Sequence, residues 1–181
     1  MSTKKKIILG VTGGIAAYKS ADLCSKLTTE GYDVHVIMTF SAQKLMTERC
    51  FQTLSRNPVI CSLWDVPEWK PEHIELSEDA NLLVVAPCTA NFIGKFTHGI
   101  ADDALTTTAL AFAGTVLLAP AMNTRMWNAI AVQENCRILR ERGVFFIGPE
   151  TGRLACGDDG TGRMSEVSTI IATIKNLLPP R

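Results

Sequence analysis

Apolar residues along this chain fall into short dense runs separated by stretches with helical spacing. Residues 6–11, 33–38, 81–86 and 115–119 are apolar at nearly consecutive positions, and 144–147 is a shorter fifth run. Consecutive rather than alternating apolarity marks strands buried on both faces, as in a parallel sheet. Between the runs the period changes. Ala17, Ala21, Cys24 and Leu27 share one helical face, and Gly31 ends that helix. Residues 128–142 read as a second helix closed by Gly143. Ser165 is placed to cap a third, which carries Val167, Ile170, Ile171, Ile174 and Leu178 on one stripe. Strand and helix alternate throughout. The pattern predicts a single α/β domain over residues 1–181, an open parallel sheet with helices on both faces in three layers. Residues 55–71, with three Pro and two Trp, read as an irregular connection. Residues 151–163, with four Gly, read as a mobile loop or flap over about 149–164.

Composition narrows the function. Eighteen basic and eighteen acidic side chains cancel, which removes the electrostatic footprint of a nucleic-acid or anionic-membrane binder. Lys4, Lys5 and Lys6 form the one basic run, a solvated lead-in to the first strand. The apolar residues after it are too few for a signal-peptide core or a membrane span. Six Cys stand at 24, 50, 61, 88, 136 and 156. None forms a C-x-x-C pair and no H-E-x-x-H occurs, so neither a metal site nor a disulfide framework is expected. Scattered cysteines suit a reducing cytoplasm.

Ligands of open parallel sheets bind at the C-terminal strand ends, here residues 12–15, 39–41, 87–92 and 120–123. "GVTGGIAAYKS" follows the first run and opens a helix, a geometry that brings backbone N–H groups and the helix dipole to a phosphate. It is not a Walker A loop, because Tyr18 stands where Gly is required before Lys19 and Ser20. It is not a G-x-G-x-x-G dinucleotide turn either, and the second run ends without an acidic residue. Thr39 and Ser41 there suit a mononucleotide phosphate or ribityl chain. Helix capping alone also accounts for these residues. "APCTANF" could line a flat ring or be a satisfied turn, and Asn123 in "PAMNTRMW" could hold a ligand or cap the next helix.

Six blocks occur in order: "GVTGGIAAYK", "HIEL", "APCTAN", "GIADDALTT", "PAMNTRMW" and "ACGDDGTGRM". Together they resemble the flavin-containing cysteine decarboxylases, and among them those acting on 4′-phosphopantothenoylcysteine in coenzyme A biosynthesis. The resemblance spans nearly the whole chain. It implies a flavodoxin-like (Rossmann-like) fold binding FMN near a subunit contact, in a homotrimer or a dodecamer of trimers, with the synthetase that makes the substrate as a candidate further partner. Carried over by motif, Gly13, Gly14, Ile15, Thr39, Phe40, Ser41, Thr89, Ala90, Asn91, Phe92 and Ala121 would meet FMN. Phe92 stands where the family carries a hydroxyl residue. Asn123, Met126 and Ala155 would meet substrate.

The resemblance also implies the chemistry. Direct loss of CO₂ from a cysteine would leave an unstabilised carbanion. Prior oxidation to a thioaldehyde gives the electrons a C=S to enter, and the resulting enethiol is then reduced. His73 is the matched base, since imidazole titrates near neutrality. Asn123 would orient the carboxylate without the ground-state stabilisation a cation would bring. Cys156 is the matched acid, kept as a thiol by Asp158 and Asp159 beside it. Taken without the motif, His73 reads as a surface histidine, and His35 and His98 match nothing in the family. Three rivals stay open. Peptidyl-cysteine decarboxylases lack the Cys156 motif. Flavin prenyltransferases have no need of the "PAMN" and "ACGD" pair. Regulatory flavin-binding proteins often carry long acidic tails, and the residues to 181 are not acidic.

Overall fold

The computed structural model describes residues 4–64, 72–155, 157 and 159–178, and of residues 72–75 only the backbone. Six parallel strands form one sheet: β1 (Lys6–Val11), β2 (Asp33–Met38), β3 (Val59–Ile60), β4 (Leu82–Cys88), β5 (Thr115–Pro120) and β6 (Phe145–Phe146). Their spatial order is β3-β2-β1-β4-β5-β6. The helices are α1 (Ala17–Thr29), α2 (Phe40–Gln43), α3 (Glu48–Ser55), α4 (Glu72–Asp79), α5 (Ala90–His98), α6 (Ala104–Ala111), α7 (Thr124–Trp127), α8 (Ile130–Glu141) and α9 (Val167–Leu177). An antiparallel ribbon, β7 (Glu150–Arg153) with β8 (Asp159–Arg163), stands apart from the sheet.

Strand periodicity divides the buried residues into two cores. Ile7, Leu9 and Val36 face Leu23 and Leu27 of α1, Phe51 of α3 and Ile170 and Ile174 of α9. Ile8, Leu83 and Val85 face Ile93 of α5, Leu105 of α6 and Leu139 of α8. Each such aliphatic side chain, once buried, contributes about 1.5–3 kcal/mol. The result is the three-layer arrangement that the apolar runs predict and the flavodoxin-like fold that the resemblance implies. The strand order reverses between β1 and β4, the point at which open parallel sheets place a ligand crevice beyond the C-terminal strand ends.

Four details differ from the sequence expectation. β4 runs on to Cys88, through Pro87, with a register shift between Val85 and Cys88. The connection at 55–71 contains β3, whose two residues are too short a run for periodicity to register. Part of the expected loop at 151–163 is the ribbon β7–β8. Its alternating Gly, Thr and Arg residues carry no apolar signal, yet its backbone pairs, with a register shift between Glu150 and Thr151, and the Thr151 and Thr161 hydroxyls meet at 2.8 Å. Ser165 does not cap α9. Its hydroxyl turns to Glu150 instead, and Glu166 takes the N-cap position without a side-chain bond.

The packing sets thiol reactivity. Burial pushes the Cys24 thiol up to about 11, and raises Cys88 and Cys136 as well. Cys50 and Cys61 are half-buried. A maleimide at pH 7 is expected to modify Cys50 and Cys61 and to spare Cys24, Cys88 and Cys136 until the chain unfolds, as read by peptide mass spectrometry.

Candidate functional site

The crevice is held open by side chains that complete an interrupted ladder. Pro87 has no N–H and the β4 register shifts around it, so carbonyls there need other partners. The Thr12 hydroxyl donates to the Pro87 carbonyl at 2.7 Å and accepts from the Thr89 N–H at 3.1 Å. The Ser20 hydroxyl donates to the Ala86 carbonyl at 2.6 Å. The ends of β1 and β4 are thereby joined on either side of the switch point. Between them α1 starts at Ala17 with Ala16 at its N-cap and no side-chain cap; the Ala17 and Lys19 N–H groups bond the Gly14 and Ala16 carbonyls at 2.9 Å, and the positive end of the dipole faces the crevice.

Gly13 is required by space. A Cβ there would collide with the Ser41 Cβ and lie 3.1 Å from the Ser41 carbonyl carbon, where backbone has to move. Gly13→Ala is expected to lower stability by about 1–3 kcal/mol, measured by urea unfolding.

The opposite wall is the end of β5 and the start of α7. The Ala121 N–H donates to the Cys88 carbonyl at 3.0 Å, and the Met122 N–H to the Gly162 carbonyl at 3.0 Å. The second bond pins the ribbon to this wall. A Cβ on Gly162 would collide with the Met122 carbonyl, and one on Gly160 with the Thr124 hydroxyl. Asn123 is the N-cap of α7, and its Oδ1 accepts from the Arg125 N–H at 2.8 Å. The capping alternative is therefore correct. It is also compatible with a ligand role, because fixing Oδ1 on the helix fixes the orientation of the Nδ2 donor.

These walls and the ribbon enclose a cavity of about 630 Å³, within the range of small-molecule sites. Gly13, Gly14, Ile15 and Thr89 line one side, Ala121, Asn123 and Met126 the other, and Arg153, Leu154 and Ala155 the ribbon side. Three cations reach it. The Lys19 ammonium lies 3.1 Å from a Glu166 carboxylate oxygen. The Arg163 guanidinium lies 3.2 Å from Glu150 and 3.5 Å from Glu166. Arg153 is the third.

Glu150 anchors the base of the ribbon. Burial raises its pKa, but the Glu166 N–H, Arg163 and Ser165 together hold it below the ordinary glutamate value. A depressed carboxylate stabilises the fold above its unfolded pKa, about 4.3, and that contribution is lost as pH falls through the lower folded value. Proteolysis within 150–163 should accelerate below about pH 4, and Glu150→Gln should show the faster cleavage already at pH 7.

Of the residues singled out from sequence, Gly13, Gly14, Ile15, Thr89, Ala121, Asn123, Met126 and Ala155 line this one cleft. Ser41 adjoins it through Gly13. Thr39 caps α2, accepting from the Ala42 N–H at 3.3 Å. Phe40 is 69% exposed, with the Lys44 ammonium 4.3 Å from its ring centroid. Ala90 and Asn91 occupy the first turn of α5. Phe92 follows them on α5. Its side chain is buried in the core, 5.7 Å from the Phe96 ring centroid, so only its backbone could meet a ligand. His73 lies on α4, its side chain outside the described residues, and Cys156 and Asp158 lie outside them altogether. Lys19, Leu154 and Met164 line the cleft without having been singled out. For Lys19 a signal existed, since it stands one helical turn after Ile15 on the glycine turn.

A family model described as Flavoprotein matches residues 1–179. The chain belongs to the Flavoprotein family. Among curated members, the coenzyme A biosynthesis bifunctional protein CoaBC of Vibrio cholerae is 44% identical over 178 residues, covering 98% of this chain and 45% of that protein. CoaBC of Bacillus subtilis is 45% identical over 174 residues, covering 94% and 42%. This Flavoprotein chain thus spans less than half the length of those relatives. Among solved structures, a Cys-to-Ser variant of a PPC decarboxylase complexed with pantothenoylaminoethenethiol superposes with a TM-score of 0.87 at 32% identity, covering 98% of this chain and all of that one. The FMN-dependent cysteine decarboxylase SpaF follows at 0.82 and 31%, covering 93% and 94%. The FMN-binding protein AtHal3 gives 0.81 and 33%, covering 96% of each chain.

Proposed function

We propose that this chain is an FMN-dependent carboxy-lyase that converts 4′-phosphopantothenoyl-L-cysteine to 4′-phosphopantetheine in coenzyme A biosynthesis. One observation carries the reading. "PAMNTRMW" and the ribbon that flanks "ACGDDGTGRM" meet across a single cleft whose floor is an uncapped, glycine-lined helix start. The residues fit the cofactor. The α1 dipole and the backbone at Gly13 and Ile15 suit its phosphate, the Gly13–Ser41 contact leaves no room for a side chain, and Thr89 and Ala121 border the space for a flat ring. The similarity to CoaBC and to a PPC decarboxylase holding an enethiol supports this substrate over peptides or a binding role.

Bound FMN supplies the two-electron oxidation of the sulfur-bearing carbon and the later return of those electrons. The chain does the rest. His73 takes the substrate thiol proton as the thioaldehyde forms. Asn123, held as the α7 cap, donates to the carboxylate and sets the breaking C–C bond perpendicular to the C=S plane. Carbon dioxide leaves with its bonding electrons passing into the C=S, giving an enethiolate that recovers the proton held by His73 as the enethiol. Cys156 protonates the carbon as the enethiol is reduced. The ribbon shields the site from water.

We further propose a homotrimer, or four trimers in a dodecamer, with the site at a subunit contact. Ile15, Tyr18, Phe40 and Met126 are exposed around the cleft, where a second copy would cover them. A phosphopantothenoylcysteine synthetase is a fitting partner given the bifunctional relatives. No described helix is long and apolar enough to cross a membrane, and a cytoplasmic setting suits the thiol chemistry. The test is to identify the flavin by chromatography after denaturation and to assay CO₂ from 4′-phosphopantothenoylcysteine against a peptide ending in cysteine. FMN with CO₂ from the first substrate alone supports the reading. A colourless protein, or CO₂ from the peptide alone, rejects it.

A further inference from the structure

We infer that Arg153 is the specificity residue for the distal phosphate of the substrate; the inference rests on the function proposed above. It follows from the charges of the cleft. Lys19 is neutralised by Glu166 at 3.1 Å, and Arg163 by Glu150 and Glu166 at 3.2 and 3.5 Å. Both of these cations serve to fasten the ribbon to α1 and to the start of α9. Arg153 lines the same cleft from an exposed position on β7 and has no carboxylate within 4.0 Å among the described residues. Its ladder partner Asp159 makes no ion pair with it, so it is the one described cation of the cleft outside an ion pair, and a guanidinium matches a phosphate monoester in a bidentate fork.

The spacing agrees. Gly162 is fixed beside Met122, next to Asn123, and the Arg153–Asp159 rung lies three residues further along β8, roughly 10 Å at strand rise. Twelve bonds separate the carboxylate carbon of phosphopantothenoylcysteine from its phosphorus, about four residues of extended chain or ~14 Å, a length that the rise along β8 and the reach of the Arg153 side chain together span. A substrate carboxylate at Asn123 would therefore bring its phosphate to Arg153.

Steady-state kinetics with 4′-phosphopantothenoylcysteine and with the unphosphorylated pantothenoylcysteine test this on wild type, Arg153→Gln, Arg153→Lys and Arg163→Gln. Wild type should prefer the phosphorylated substrate. Arg153→Gln should raise KM for it about 10- to 100-fold at unchanged kcat, leave the unphosphorylated substrate unaffected, and be partly rescued in Arg153→Lys. Arg163→Gln, acting on the ribbon, should impair both substrates alike. An unchanged preference in Arg153→Gln overturns the assignment while leaving the proposed reaction standing. Failure of wild type to act on either substrate overturns both.

Discussion

Asn123→Asp is expected to keep the fold and to lower kcat/KM for phosphopantothenoylcysteine by about 10²- to 10³-fold. The substitution separates the two roles of this residue. As the α7 cap, Asn123 offers Oδ1 to the Arg125 N–H, and an aspartate oxygen accepts that bond at least as well at a helix start. Thermal midpoint and circular dichroism should therefore stay close to wild type. Toward the cleft the change is opposite in sign. An N–H donor becomes an anion facing the substrate carboxylate, and a good orienting contact becomes repulsion. Asn123→Ala removes both roles. It should add a stability loss of about 1 kcal/mol to the activity loss. Equal activity in wild type and Asn123→Asp would remove Asn123 from the mechanism.

Cys156→Ser should turn the enzyme into one that stops half-way. A serine hydroxyl is a far weaker acid than a thiol, so the last protonation fails while oxidation and CO₂ loss proceed. The expected product is the enethiol, two hydrogen atoms short of phosphopantetheine, with the bound flavin left reduced and no second turnover under anaerobic conditions. Mass spectrometry of the small-molecule fraction and the loss of visible flavin absorbance report the two halves separately. Full-length turnover to phosphopantetheine in Cys156→Ser would assign the acid elsewhere. His73→Asn, by contrast, should block the first step and leave the substrate unchanged with the flavin oxidised.

Much of this was legible in the sequence, for identifiable reasons. The strands β1 and β2 were legible to the residue because both faces are buried and the apolar run has sharp ends. The location of the cleft followed from the rule that ligands of open parallel sheets bind at the C-terminal strand ends. What escaped notice has little apolar content or depends on distant partners. The ribbon is built largely from Gly, Thr, Arg and Asp, and is held by backbone pairing, by a bond to Met122 and by the ion pairs of Arg163 with Glu150 and Glu166. Nothing local shows that Ser165 would turn to Glu150 rather than cap α9. Phe92 stands in a motif position but points into the core, since the first turn of α5 directs that position at Phe96 and away from the cleft. The pairing that neutralises Lys19 joins residues 147 positions apart and cannot be read from spacing.

The most direct test of the proposed reaction is one anaerobic incubation of wild-type protein with 4′-phosphopantothenoylcysteine, following product mass and flavin absorbance together. The account predicts 4′-phosphopantetheine in amounts far exceeding the protein, with the flavin oxidised at the end as at the start. Untouched substrate, or an enethiol accumulating only to the amount of flavin present, would contradict it.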